Sequence, residues 1–280
     1  MSKRNSQANK AAARERLRAE RERQAKKDKT RKQVVVAVSV VAALAVVGGI
    51  SYGVMQLNKP DAWEAAADAK NVTAPKNTSG EDGTTVVVGK SSAKKTLELY
   101  EDSRCPVCAT FEQGVGETIS KDVEAGKYKV QYVGATFLDG DKLSAGTVGS
   151  NGEGSKNALS ALGAALDVSP EAFMKYKAAL YSAEFHPEES DDKFAEDSYL
   201  IEVADSVDAL KGNKNFQKNV EDGTFDSWAI KMSILFEKSE VSGTPTLKMD
   251  GKKITAKGSN NAPMTANEFN DAIKEALKKN

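Results

Sequence analysis

Along most of the chain, apolar residues recur with the period of a strand or of a helix, and the switches between the two outline an architecture. "TTVVVGK" and "KTLELYE" are β-branched or alternating runs joined by "SSA", which predicts an early pair of strands. From residue 105 to about 125 the apolar residues Cys108, Phe111, Val115, Ile119 and Val123 share one helical face, and Gly114 and Gly116 weaken or bend that helix. "KYKVQYVGATF" reads as a strand over 128–137 and "DGDKLSAGTVGSNGEGS" as a polar loop. Helical spacing follows over 155–166, 169–182, 194–210 and 225–238. Ser169, Pro170 and Glu171 are a cap, a first-turn residue and a charge that suit a helix start. The chain returns to strands in "TPTLKMDGKKITA", with Asp250 and Gly251 at a hairpin turn, and ends in an amphipathic helix over 265–279. The order β-β-α-β, helices, β-β-α implies an α/β domain whose sheet is faced by helices, with a helical insertion at about 139–240.

One stretch fits neither period. Residues 33–58 carry no charge, and positions 34–57 are long enough for the roughly 30 Å hydrocarbon core of a bilayer at about 1.5 Å per residue. A cleaved signal has a shorter apolar stretch of about 7–15 residues, and a buried core helix would show a polar stripe, so a single uncleaved transmembrane signal-anchor is expected.

Charge then orients it. Lys and Arg total 40 and Asp and Glu total 40, but residues 1–32 hold 13 basic and 4 acidic residues, leaving a net −9 for the rest. A basic tail stays cytoplasmic, which places residues 59–280 outside the cell membrane as a single-pass protein. The tail has no aromatic residues among its charges, which argues against nucleic acid as its partner. Residues 59–84, rich in Pro, Gly, Ser, Thr and Asn after a short helical piece at 61–70, read as a linker, and 85–280 as the globular domain.

The chain has two cysteines, Cys105 and Cys108. A structural disulfide closing so short a loop gains at most about 2 kcal/mol, little for a domain of this size. Zinc would need further N/S ligands, and the single histidine, His186, is far along the chain, so no metal is assigned. Redox chemistry fits better. At a helix start the first thiolate is favoured by free N–H groups and the helix dipole, and the second sulfur, one turn on, can resolve a mixed disulfide. Pro106 suits the first turn. Cys105 is thus expected as the exposed nucleophile and Cys108 as its shielded partner. Pro245 heads a predicted strand: it is either an ordinary edge-strand start or a cis residue that turns the Thr244 backbone toward an extended substrate.

"LELYEDSRCPVCATFE" and "VSGTPTLKMDGKKI", with the helices between them, resemble the DsbA family of thioredoxin-like thiol:disulfide oxidoreductases, in particular its membrane-anchored Gram-positive and actinobacterial type. The resemblance covers residues 85–280. It implies a thioredoxin-like fold with a helical insertion, a site of Cys105, Cys108, Pro106, Val107, Thr244 and a cis Pro245, and no cofactor beyond the redox-active disulfide. It also implies reduced secreted or envelope proteins as substrates and a membrane quinone-linked reoxidase as partner. Val107 stands where strongly oxidising members carry histidine, which predicts a less acidic Cys105. Leu99 holds the place of the family's buried acid; Glu98, Glu101 and Asp102 lie nearby and are read as surface carboxylates. A reductase or isomerase, and a non-catalytic tethered binding module, remain the alternatives to an oxidase.

Overall fold

The computed structural model describes residues 62–278. The expected tail, 1–32, and span, 33–58, lie outside the described residues. Among the described residues no helix is long and apolar enough to cross a membrane.

The described chain opens with helix α1, Ala62–Ala67, whose Trp63 is buried. The stretch expected as a linker is therefore not a free tether from this point on. Asn77 donates to the Leu166 carbonyl at 2.7 Å, and the Trp228 indole donates to the Gly83 carbonyl at 2.9 Å. Polar composition suggested a solvated segment, but the buried Trp63 ring and the Trp228 indole bonded to the Gly83 carbonyl hold it on the domain.

Strands β1 (Val86–Val88) and β2 (Thr96–Asp102) form as the alternation predicts. Helix α2 (Pro106–Phe111), a π-helical turn (Glu112–Gly116) and helix α3 (Glu117–Ala125) then carry the chain across to β3 (Lys129–Ala135). β3 runs parallel to β2, with Leu99 opposite Tyr132 and Glu101 opposite Gly134. This crossover seats β3 between the first two strands, so β1 pairs with β3 rather than with β2 as the sequence suggested. The π-helical turn falls at the two glycines that were expected to weaken the helix. A Cβ on Gly114 would overlap the Met264 carbonyl, and one on Gly116 would overlap the Glu112 carboxylate.

The insertion comprises α4 (Gly154–Val168), α5 (Pro170–Leu180), α6 (Asp197–Ala204), α7 (Lys214–Glu221) and α8 (Asp226–Lys238). Ser169 caps α5 by accepting the Ala172 N–H at 3.0 Å, as its sequence signal indicates. The single helix expected over 194–210 is shorter, and α7, capped by Asn213, was not foreseen. The insertion packs on β3: the Phe173 ring meets Tyr132 edge-on at 5.3 Å, and Leu159 fills the space left by Gly134. Strands β4 (Thr246–Met249) and β5 (Lys252–Ile254) complete the five-stranded sheet in the order β1-β3-β2-β4-β5. Asp250 and Gly251, both at positive φ, make their hairpin turn. Helix α9, Ala266–Lys278, closes the described chain.

Candidate active site

β2 stops at Asp102, whose carbonyl accepts the Cys105 N–H at 3.0 Å. Cys105 has extended backbone angles and Pro106 occupies the first position of α2, so the sulfur lies at the helix start. Cys105 retains 7% of its exposure and Cys108 none. The nucleophile expected to be exposed thus shows only a narrow window, while Val107 beside it is 52% exposed. Both thiols are free. The Thr244–Pro245 bond is cis, and the Thr244 carbonyl lies 3.8 Å from the Cys105 sulfur. Cys105, Cys108, Ala109 and Tyr181 pack together with Leu138 against them.

Electrostatics separates the two sulfurs. The Cys105 thiol is drawn down to about 6, first by the hydrogen bond from Cys108, against burial, and further by Thr244 and the N–H groups of Cys108 and Val107. Val107 therefore contributes its backbone to acidifying Cys105, a route that needs no histidine side chain. Cys108 is pushed well above the ordinary thiol range by burial, then by Cys105 and the charge of Glu101. One sulfur is built to exist as thiolate and the other to hold its proton.

Beneath them lies a group of carboxylates that the sequence reading placed on the surface. Only Glu98 is partly exposed, and it accepts the Tyr100 hydroxyl at 2.6 Å. Glu101 and Asp102 are fully buried. Glu101 shares a strand face with Leu97 and Leu99, so the strand's two-residue period carries it inward. It meets the buried Lys177 ammonium of α5 at 3.2 Å, and Lys177 also pairs with Glu112 of the π-helical turn at 2.6 Å. Burial, then Glu112, holds the Glu101 carboxyl well above its usual range although Lys177 opposes this. For Lys177 the two carboxylates outweigh burial and raise its pKa. Tyr132 and Tyr181, both fully buried, are kept neutral by burial and, beyond it, by negative charge from this cluster, Glu101 included.

Arg104, next to the nucleophile, is also buried, and it reaches into the insertion. Its guanidinium contacts Asp139 at 2.7 Å and Asp192 at 3.2 Å, and donates to the carbonyls of Asn151 and Glu189. The loop read as merely polar thus carries buried anchors, Asp139 and Asp141, both paired with the fully buried Lys156. His186 lies outside this chemistry: its ring stacks on Tyr181 and its Nδ1 faces the Leu180 carbonyl at 3.3 Å. Among the described residues, no group of three His, Cys, Asp or Glu side chains is arranged to hold a metal.

A strand, a C-x-x-C turn at a helix start and a facing cis-proline loop are the parts that define a thioredoxin-like redox site. The thioredoxin family model matches residues 81–275. The chain belongs to the thioredoxin family. Within it the chain is a DsbA-type thiol:disulfide oxidoreductase with a helical insertion. It is 25% identical over 169 residues, 60% of this chain and 68% of the relative, to "Disulfide bond formation protein D" of Bacillus subtilis. Oxidised DsbA of Mycobacterium tuberculosis is 27% identical with a TM-score of 0.54, over 70% of this chain and 93% of that one. MdbA, a thiol-disulfide oxidoreductase from Actinomyces oris, shares the fold at 19% identity with a TM-score of 0.56, over 75% of this chain and 95% of that one. Enzymes of the DsbA type work with a redox-active cysteine pair and no external cofactor.

Proposed function

We propose that this DsbA-type protein is an extracytoplasmic oxidase that introduces disulfides into secreted or cell-envelope proteins, anchored in the cell membrane by residues 34–57 with its N-terminus in the cytoplasm. The observation that carries the reading is the asymmetry of the two sulfurs. A substrate thiolate attacks the Cys105 sulfur of the oxidised pair; the Cys105–Cys108 bond breaks, and Cys108 leaves with the electron pair and takes a proton. A second substrate thiolate attacks the substrate sulfur of the mixed disulfide, and Cys105 leaves as thiolate. That departure is favoured because the Cys105 thiol is already acidified to about 6.

Glu101 is the proposed proton donor to Cys108. Burial, then Glu112, favours the protonated form of its carboxyl, and its ionised form would raise the Cys108 thiol, so the two groups compete for one proton. During reoxidation the proton returns to it. Thr244 and Pro245 form the rim against which an extended substrate segment pairs. Two electrons then pass from the reduced cysteines to a membrane quinone-linked reoxidase. The basic tail and the uncharged segment support the membrane placement, and the likeness to a disulfide bond formation protein and to DsbA supports the direction of the chemistry.

The test is oxidation of a reduced, unfolded substrate protein by the oxidised chain. Cys105→Ser abolishes it on this reading; a variant retaining full activity refutes it. A disulfide reductase or isomerase uses the same geometry at a lower potential, and Val107 in place of histidine is the feature that favours it.

A further inference from the structure

The last residue of β2 makes more connections than a strand end requires. Asp102 is fully buried, and its carboxylate accepts three hydrogen bonds from three separate elements. Oδ1 accepts the Arg104 N–H of the active-site turn at 3.0 Å and the Ser155 hydroxyl from the first turn of α4 at 2.7 Å. Oδ2 accepts the Leu138 N–H at 3.2 Å, and Leu138 packs against the cluster formed by Cys105, Cys108, Ala109 and Tyr181. The Asp102 carbonyl meanwhile holds the Cys105 N–H. The α4 end of this link is itself rigid. Asp139 accepts the N–H groups of Ser155 and Lys156, Asp192 accepts those of Glu153 and Gly154, and Arg104 joins both carboxylates.

We propose that Asp102 is a positioning residue for the nucleophile, locking the turn that presents Cys105 to Ser155 at the start of α4, so that the helical insertion sets the reactivity of Cys105. This rests on Cys105 being the nucleophile but not on the direction of the redox reaction. The physical link is alignment: the N–H groups of Val107 and Cys108 stabilise the Cys105 thiolate only while the turn holds the sulfur over them. A loosened turn costs thiolate stability without touching the sulfur itself.

Asp102 also titrates where the enzyme works. Burial raises its carboxyl to about 7, against the hydrogen bonds from Ser155, Arg104 and Leu138 and with the charge of Asp139 adding to the rise. The other charged groups around it are Arg104 of the turn and Lys156 of α4, both committed to Asp139, and Glu101 of its own strand; Tyr132 and Tyr181 face it neutral. Protonation removes an acceptor site from the clamp, so the clamp tightens as pH rises through the range in which Cys105 ionises.

The experiment is the pH–rate profile for alkylation of Cys105 by iodoacetamide in the full-length reduced protein, compared with Ser155→Ala and Asp102→Asn, with a thermal melt of each to show cooperative folding. Ser155→Ala, which removes one donor and no charge, is expected to slow alkylation at pH 6 by about 3- to 10-fold and to leave the rate above pH 9 unchanged. The native profile is expected to rise more steeply than one proton allows, and Asp102→Asn to reduce it to a single ionisation. A folded Ser155→Ala with the native profile overturns the proposal, whatever Asp102→Asn does. A native Cys105 that titrates like an ordinary thiol overturns instead the reading of Cys105 as an activated nucleophile, and the proposal with it.

Discussion

Replacing Cys108 by alanine isolates the cause given first place in acidifying Cys105. The Cys105 thiol sits near 6 chiefly because Cys108 donates a hydrogen bond to its sulfur, with Thr244 and two backbone N–H groups in support. A hydrogen bond to a charged acceptor contributes about 1.5–3 kcal/mol. At about 1.4 kcal/mol per pKa unit, its loss moves Cys105 up by roughly 1–2 units, to about 7–8. At pH 6 half of the native Cys105 is thiolate, against about 1–10% in the variant, so alkylation slows by roughly 5- to 50-fold. Above pH 9.5 both are fully ionised and the rates converge. Cys108→Ser, whose hydroxyl still donates, falls between the two. The assay is the rate of carbamidomethylation followed by intact mass from pH 4 to 10. A Cys108→Ala profile with its midpoint still near 6 refutes the reasoning and assigns the acidity to the backbone alone.

Three further outcomes follow from the groups beneath the cysteines. Lys177→Met leaves Glu101 and Glu112 in the interior without their shared cation and is expected to cost about 3–5 kcal/mol, measured by urea denaturation. The folded-state pKa of Asp102, about 7, lies above the roughly 3.9 of an unfolded aspartate, so its contribution to stability is complete below about pH 4 and is lost as pH rises through 7, by about 4 kcal/mol. Asp102→Asn should flatten the stability profile by about 3 kcal/mol between pH 4.5 and 7.5, the part of that loss which falls in this window, and a native profile without this slope contradicts it. Gly114→Ala sets a methyl group against the Met264 carbonyl and is expected to destabilise by about 1–3 kcal/mol, read as a lowered melting temperature.

What was legible in the sequence is what local rules encode. The turn between β2 and α2 could be read because a strand pattern, two cysteines, a proline and a helix pattern occur in order. The start of α5 could be read because Ser169, Pro170 and Glu171 each favour that position independently. Burial of Glu101 and Asp102 could not, since charge predicts exposure unless a partner is known. Lys177 lies 76 residues from Glu101, and Ser155 lies 53 from Asp102. The signal available was the strand period, which puts Glu101 on the same face as Leu97 and Leu99. The packed segment after Trp63 was hidden for a similar reason, as its anchor, Trp228, is 145 residues from Gly83. Helix α7 escaped notice because only Phe216 and Val220 mark its buried face in an otherwise polar run.

The redox direction is tested most directly by the reduction potential of the Cys105–Cys108 pair, measured on the intact protein equilibrated with glutathione buffers. For a two-electron couple, about 30 mV corresponds to about 1.4 kcal/mol, so the alternatives are several kcal/mol apart. A dithiol form stabilised by an acidic Cys105 predicts a potential above about −180 mV, at which the disulfide is readily donated. A value near about −270 mV would contradict an oxidase and identify the protein as a reductase.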